Sequence, residues 1–425
     1  MLNLSLIIPC YNEAATLEKI LAKALSLHQQ TVHGQTIKLE LILVFDGSTD
    51  QSLSIAQAWA QDHPPIKILS YAPNRGKGYA LRQGIKIAQG DLIGIQDADL
   101  EYDPAEYLKL IATLLENHAE VVYGSRYLLQ NQRRILSFWH SLTNHGLTLL
   151  TNMFTNLDLS DMETCQKLLQ KSALQKILPH LQEDRFGIEP EITIQIAKQR
   201  LRIYECAISY HPRTFAEGKK IRWTDGVHAL YCILHYGGPT APLPMQIILY
   251  FFIGLICAIT NVLLFTLGHY VLLAQNDPAF TITAAFAGAA ALNYLLCISI
   301  LFEHQKRKGI LREILLYLVA IIFMGFIDYA LTIFGHHQFH LSWFVSKSLT
   351  APLSFGLNFI FRKYVVFRQG RSAVHPPPTS PWRPIKFPGF PPSRASTLNN
   401  NSHCSGKRSD DQNYGRLDQA GPSAG

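Results

Sequence analysis

Residues 92–104 read LIGIQDADLEYDP. Leu92–Gln96 is a short apolar run, the pattern of a strand buried on both faces. It stops at Asp97, Asp99 and Glu101, three carboxylates at alternating positions, and Pro104 after Asp103 marks the start of a helix. A strand that ends in acids and hands over to a helix puts those acids at the carboxyl edge of a sheet, where open α/β sheets bind ligands. An isolated Asp-x-Asp is more often a solvated acidic turn that caps the next helix. Its place at a strand end favours a hard cation instead, because Mg²⁺ takes a few carboxylates together with substrate phosphates.

The same alternation extends to both sides. Leu4–Ile8, Leu39–Phe45, Ile66–Ser70 and Val121–Tyr123 read as further strands. Helical patterns over Ala14–Leu27, Ser52–Gln61, Gly78–Ala88 and Pro104–Asn117 lie between them, which predicts an α/β domain on a mainly parallel sheet to about Tyr236. Two more strands end in polar residues, at Pro9-Cys10-Tyr11-Asn12-Glu13 and at Asp46-Gly47-Ser48-Thr49-Asp50, where Asp50 suits the N-cap of the helix near Ser52. Three polar strand ends at one edge favour a nucleotide cradle. The Asn74-Arg75-Gly76-Lys77-Gly78 turn opens a helix, so its amides and Lys77 can face a diphosphate. It is not a P-loop, since Tyr79 stands where Ser or Thr must follow the lysine.

Composition changes after Gly237-Gly238-Pro239. Met245–Leu267, Ile282–Phe302 and Ile314–Phe334 are about 20 residues each, the length a bilayer core requires. Asp328 lies within the third, and Phe344–Phe361 is a weaker fourth span because it holds Lys347 and Pro352. Lys306, Arg307, Lys308 and Arg312 follow the second span, Arg362, Lys363, Arg368 and Arg371 end the fourth, and the loops His269–Phe280 and His336–Ser342 lack Lys and Arg. The positive-inside rule then puts both termini in the cytoplasm, as does the lack of a signal-peptide pattern at the N-terminus. Charged residues are 16% of the 425, and the formal charge is +7, without the basic stripe of a nucleic-acid binder. Seven scattered cysteines without a CxxC pair argue against a disulfide scaffold or structural zinc. Residues 369–425, rich in Pro, Ser, Asn and Gly, are expected to be a disordered tail. Trp223–Tyr236 is expected to lie in the headgroup plane and Phe138–Leu157 to be a core helix.

Taken together, IPCYNE (8–13), FDGSTD (45–50), NRGKGYALRQG (74–84), DADLEYDP (97–104), GSR (124–126), DMETCQK (161–167), FGIEPEI (186–192) and RTFAEGKKIRWTDG (213–226) resemble the family 2 glycosyltransferases, in the dolichol-phosphate mannosyltransferase-like branch. Residues 245–368, with Asn261 and NFIFRKYVVF (358–367), resemble the four-span GtrA-like proteins. The resemblance implies a GT-A type nucleotide-sugar-binding domain over 1–238, an all-α transmembrane domain over 245–368 and the tail. It implies Mg²⁺ or Mn²⁺ at Asp97, Asp99 and Glu101, and nucleotide contacts from Pro9, Tyr11, Glu13, Val44, Asp46 and Ala98. Phe45 stands where the family has the first Asp of a pair, which leaves Asp46 as the expected nucleotide-facing member. Glu101 stands where relatives often have Gln.

The activity implied is an inverting transfer of a hexose, from GDP-mannose by first preference or UDP-glucose by second, to a polyprenyl phosphate at the cytoplasmic leaflet of the plasma (inner) membrane. A phosphate monoester with a second pKa near 6 is largely anionic at neutral pH, so cationic guidance matters more than a general base. That points to Arg126, Arg213 and Lys219 beside Asp99. Two other functions compete. A processive polysaccharide synthase would carry Gln-x-x-Arg-Trp, where this chain has Lys219 before Arg222-Trp223. A carrier or flippase component, with a binding-only first domain, draws some support from Phe45. No nucleic-acid partner is expected, and assembly into homo-oligomers is compatible with the sequence. All candidate metal and phosphate ligands precede residue 226, so chemistry and membrane span are expected to separate near Gly238.

Overall fold

A computed structural model of the chain describes residues 1–128, 135, 137–213, 223–268, 278–302, 310–341 and 343–367. Its sheet forms from Leu2–Cys10 (β1), Thr31–Val32 (β2), Gln35–Asp46 (β3), Ile66–Tyr71 (β4), Leu92–Ile95 (β5), Val121–Ser125 (β6), Lys167–Gln170 (β7) and Ile203–Ala207 (β8). The order is β2-β3-β1-β5-β7-β6-β8, with β4 on the far part of β3. β1 pairs in parallel with β3 and β5, and β3 with β4, as the alternating pattern predicts. Every residue of β5 and β6 is buried, which is why they read as unbroken apolar runs.

The sheet is mixed, however. β7 runs antiparallel between β5 and β6, and β8 pairs in parallel with β6. The reversal has a useful result. β6 keeps the direction of β5, so Arg126 emerges at the same edge as Asp97, and reversed β7 starts at that edge with Lys167. The sequence gives no warning of β7, because four residues, KLLQ, carry too little pattern to separate strand from helix.

Ala14–Leu25 (α1), Ser52–Asp62 (α2), Lys77–Ile87 (α3) and Tyr107–Glu116 (α4) fall where helices were expected. Phe138–Thr155 (α5), Lys171–Ile177 (α6), Ile188–Lys198 (α7) and Trp223–Cys232 (α8) complete the first half. The expectation of a core helix at α5 holds for one face only. Phe138, Leu142, Leu149 and Met153 share an exposed face, with Trp139 73% exposed, while Asn144, Thr148, Thr151 and Phe154 are buried. Thr148 Oγ1 accepts the Met162 N–H, and Asn152 clasps Leu159 through both of its backbone groups. The helix turns a polar stripe, with Phe154, Leu147 and Leu150, to the protein and leaves Phe138, Trp139, Leu142, Leu149 and Met153 outside.

Leu243–Leu267 (α9), Pro278–Leu296 (α10), Ile310–Phe339 (α11) and Trp343–Phe361 (α12) make the second half. Among the described residues, three helices are long and apolar enough to cross a membrane: Leu243–Leu267, Thr283–Leu301 and Ile314–Phe339. The expected fourth span corresponds to α12, which holds Pro352 inside the helix. The side chains of Asp328 and Lys347, and all of 303–309 and 368–425, lie outside the described residues. That covers the tail and several of the cations used for orientation.

Two hydrophobic cores result. One fills the α/β half around the sheet. The other crosses the expected boundary at Gly238, for Phe154, Met162 and Ile233 pack in one cluster with Met245, Tyr250, Cys297, Phe302, Tyr317, Phe359 and Phe367. A Cβ on Gly238 would lie 1.9 Å from the Ile300 carbonyl oxygen, so only glycine allows this approach.

Candidate active site

The three polar strand ends do meet. Asn12 and Thr49 join the first two, with the Thr49 N–H donating to Asn12 Oδ1 at 2.8 Å. The Asp50 carboxylate accepts the Ala14 and Ser52 N–H groups, both at 3.0 Å, so it holds the starts of α1 and α2 together. Asp46 is buried and takes the Arg75 and Gly76 N–H groups at 2.7 and 2.6 Å. It therefore fixes the 74–76 turn against the strand end. Gly76 has φ of +106°, and a Cβ there would meet the Asp184 carbonyl oxygen at 2.5 Å, so both backbone conformation and space require glycine. Phe45 is fully buried in β3 and packs in the core. Val44 and Ala98 are buried as well, which leaves backbone atoms as their means of contact. Tyr11 is exposed and Pro9 half-buried.

The acids are each matched to a cation from elsewhere in the chain. Lys77 Nζ lies 2.8 Å from Asp97 Oδ1 and 3.0 Å from Glu189 Oε1. Glu189 in turn lies 2.5 Å from Lys167 Nζ, and both are buried. The line Asp97–Lys77–Glu189–Lys167 thus alternates sign from the sheet edge into the interior. On the other side Arg213 donates to Asp99 Oδ2 at 2.8 Å and reaches Glu13 at 3.4 Å, with Glu101 at 3.6 Å. Glu101 also accepts the Tyr210 hydroxyl at 2.7 Å and the Arg213 N–H at 3.0 Å.

Asp97, Asp99 and Glu101 do not converge on one point as the sequence suggested. Asp97 leans to Lys77, and the other two lean to Arg213. The donor set still fits a hard cation, since all its donors are carboxylate oxygens. Desolvation, with the Asp97 and Glu101 charges adding to it, pushes the Asp99 carboxyl up to about 7. A divalent ion would relieve that crowding if Arg213 gave way.

Arg126 is the clearest departure. Its Nε and Nη2 form a bidentate pair with Asp161, both at 2.7 Å, and its N–H adds a third bond at 2.9 Å. Its guanidinium lies 5.2 Å from the Tyr210 ring. The pair is buried, so Arg126 holds the 159–162 loop to the end of β6 and leaves less of its guanidinium for a phosphate than expected. Lys219 lies outside the described residues. Sequence reasoning missed roles for Asp161, Lys167, Glu189 and Tyr210. The available signal was acids inside an otherwise apolar helix, Glu189 and Glu191 in IEPEITIQIA, where every residue from Ile188 to Ile196 is buried.

Glu163 sits beside this network. Burial first, then the Glu189 charge, pushes its carboxyl from 4.5 up to about 7 against the pull of Lys167 and Arg126. A raised folded-state pKa gives stability that is complete below 4.5 and is lost as pH rises through 7. Glu163→Gln removes that loss. Its melting temperature, relative to the native chain, should climb between pH 5 and pH 8, and a pH-independent difference would contradict the assignment.

A family model for glycosyl transferase family 2 matches residues 5–178, and one for the GtrA/DPMS transmembrane domain matches residues 249–367. The chain thus carries a glycosyl transferase family 2 domain followed by a GtrA/DPMS transmembrane domain. The glycosyltransferase half has the GT-A fold, and the protein is a membrane protein. It is similar to dolichyl-phosphate beta-glucosyltransferases. The Drosophila melanogaster protein is 29% identical over 52% of this chain and 69% of its own length. The Saccharomyces cerevisiae protein is 28% identical over 49% and 66%, and the Homo sapiens protein 27% over 52% and 69%. Glucosyl-3-phosphoglycerate synthase from Mycobacterium tuberculosis, solved with Mn²⁺, UDP and glucosyl-3-phosphoglycerate, aligns with a TM-score of 0.43 at 18% identity, over 56% of this chain and 80% of that one.

Proposed function

We propose that the glycosyltransferase half moves a hexose from a nucleotide sugar to a polyprenyl phosphate at the cytoplasmic leaflet of the plasma membrane. The observation that carries the reading is Arg213 held among Asp99, Glu101 and Glu13. A guanidinium so placed balances the acids in the free protein, and can leave them for an incoming phosphate. Glucose now stands ahead of mannose, reversing the preference drawn from sequence, because the relatives named above are glucosyltransferases; UDP-glucose is accordingly the first donor to test.

The residues divide the work by position. Asp97, Asp99 and Glu101 would hold Mg²⁺ or Mn²⁺, and that ion would take up charge on the departing diphosphate. Lys77 stays beside Asp97 and presents its ammonium where a diphosphate at the α3 N-terminus would gain from it. Tyr11, Glu13 and Asp46 shape the nucleotide side, Asp46 by fixing the 74–76 turn. Arg213 orients the acceptor phosphate, and its attack opposite the leaving group would invert the anomeric carbon. Trp223, Val227, Leu230 and Tyr231 project from α8, Trp223 81% exposed, and α5 adds its own exposed apolar face. Two such helices suit the headgroup layer and would bring the site to its lipid.

Labelled UDP-glucose and GDP-mannose, each supplied with polyprenyl phosphate and the full chain in membranes, test the proposal by identification of the lipid product. Arg213→Ala should raise KM for polyprenyl phosphate about tenfold or more, as loss of a charge-assisted contact does, with a smaller change for the nucleotide sugar. A selective loss of donor affinity would reverse the assignment.

A further inference from the structure

Glu183, His228 and Cys232 are not among the acids and cations of the transfer site, yet they bring a carboxylate, an imidazole and a thiol together. One oxygen, one ring nitrogen and the sulfur all lie within 4.8 Å of one another. His228 Nε2 stands 2.8 Å from Glu183 Oε2 and 3.6 Å from Cys232 Sγ. His228 and Cys232 are four residues apart on α8, so they share one face of that helix. Glu183 comes from the loop that precedes α7.

The surroundings hold these three groups in place. Glu183 Oε1 accepts the Tyr236 hydroxyl at 2.8 Å. The Glu191 carboxylate accepts the Gln182 and Glu183 N–H groups at 2.8 and 2.9 Å, and Arg82 donates to the Glu183 carbonyl at 2.6 Å. Gly187 leaves the space in which the ligand atoms meet, for a Cβ there would lie 2.5 Å from Cys232 Sγ and 2.8 Å from Glu183 Oε2. Its φ of −61° suits any residue, so the space alone asks for glycine. Zn²⁺ takes thiolate, imidazole and carboxylate ligands at about 2.0–2.3 Å in a tetrahedron, which sets ligand atoms roughly 3.3–3.6 Å apart. The Nε2–Sγ distance already has that value. The shorter Nε2–Oε2 contact would open by about 0.5 Å to match it. A cavity of about 460 Å³, lined by Arg75, Gln182, Asp184 and Arg185 as well as Glu183 and His228, gives an ion entry and room for a water as fourth ligand.

We propose that Glu183, His228 and Cys232 form a Zn²⁺ site that clamps α8 to the glycosyltransferase half, apart from the Mg²⁺ or Mn²⁺ of the transfer reaction. The nitrogen, sulfur and oxygen donors are softer than the all-carboxylate set of the transfer site, so the two sites select different ions. Burial first, then the Glu183 charge, pushes the Cys232 thiol up in the metal-free protein. A bound cation reverses that balance, and the thiol proton leaves to solvent as the ion enters. The sequence argues against structural zinc for want of a CxxC pair. A His and a Cys one helical turn apart, with an acid 45 residues upstream, leave no such pattern. The loop they hold also abuts the phosphate-facing turn, since a Cβ on Gly78 would lie 2.3 Å from the Glu183 carbonyl oxygen.

The untagged full chain in detergent, stripped with a chelator and titrated with Co²⁺ as a spectroscopic probe, tests the site without recourse to sugar transfer. Tetrahedral d–d bands and a thiolate-to-cobalt charge-transfer absorption are expected, and Zn²⁺ should displace both while Mg²⁺ does not. Cys232→Ser should lose the charge-transfer absorption. Tyr236→Phe, which leaves every ligand in place but frees the Glu183 carboxylate, should weaken Zn²⁺ about tenfold or more, as loss of a group that orients a ligand does. Zn²⁺ should also slow hydrogen exchange in α8 of the native chain and not of Cys232→Ser. If Cys232→Ser does not fold, His228→Gln, at a partly exposed position, should lose the tetrahedral bands. A native chain without the charge-transfer absorption, or one whose absorption survives in Cys232→Ser, overturns the site. Zinc affinity unchanged in Tyr236→Phe overturns the part given to Glu183, and zinc binding without slower exchange in α8 overturns the clamp.

Discussion

Asp99→Asn should lower sugar transfer by about a hundred- to a thousandfold, the scale on which loss of one charge-stabilising group acts in a preorganised site. The substitution keeps the shape and one acceptor oxygen, so the Glu101 N–H now 3.0 Å from Asp99 Oδ1 retains its partner. What it removes is the negative charge that faces Arg213 and, in the proposed reaction, the cation. Loss of an acid raised to about 7 by burial and by the neighbouring Asp97 and Glu101 charges should not harm the fold, and melting temperature should hold or rise. EDTA should produce a comparable loss in the native chain, restored by Mg²⁺ or Mn²⁺. A variant with native turnover, or a native chain indifferent to EDTA, would remove the metal from the proposal.

Glu189→Ala is expected to have the largest effect on stability. Glu189 lies between Lys77 and Lys167 in a region where Lys167 is fully buried. Without it two ammonium groups face each other across a cavity. Removal of one member of a buried ion pair costs about 3–5 kcal/mol, enough to unfold many domains of marginal stability. Thermal unfolding of the full chain in detergent should show an early transition from the glycosyltransferase half. A paired replacement, Lys167→Met with Glu189→Leu, removes one charge of each sign and should recover much of the loss. If Glu189→Ala melts with the native chain, the alternating line of charges contributes little.

These two residues illustrate what the sequence could and could not reveal. Asp99 was legible because its setting is local: an apolar run stops, an acid follows, a helix begins. Buried parallel strands and membrane helices are legible for a similar reason, since each announces itself by an unbroken apolar stretch. Glu189 offers only its place as an acid in a buried helix, which says nothing of its partners. Its partners lie 112 and 22 residues away in sequence, and only the insertion of β7 between β5 and β6 brings Lys167 to it. Arg126 was found by its motif, but its bidentate bond to Asp161 depends on the same reversed strand. α5 shows a further limit, because a stripe of large apolar residues looks alike whether it meets a core or a lipid surface. Partners set by topology are invisible to pattern.

The core shared by Phe154, Met162 and Ile233 with the membrane helices bears on how such proteins can be recombined. By pedigree the chain is two modules, and the family matches leave a gap between residues 178 and 249 that invites a cut. By mechanics the seam lies elsewhere. A graft that joined another catalytic head to these helices at Gly238 would leave Phe154 and Met162 behind and put strangers against Met245 and Phe302. The exchangeable unit therefore includes α5 and the loop after it, although both lie far upstream of any boundary that ancestry would draw.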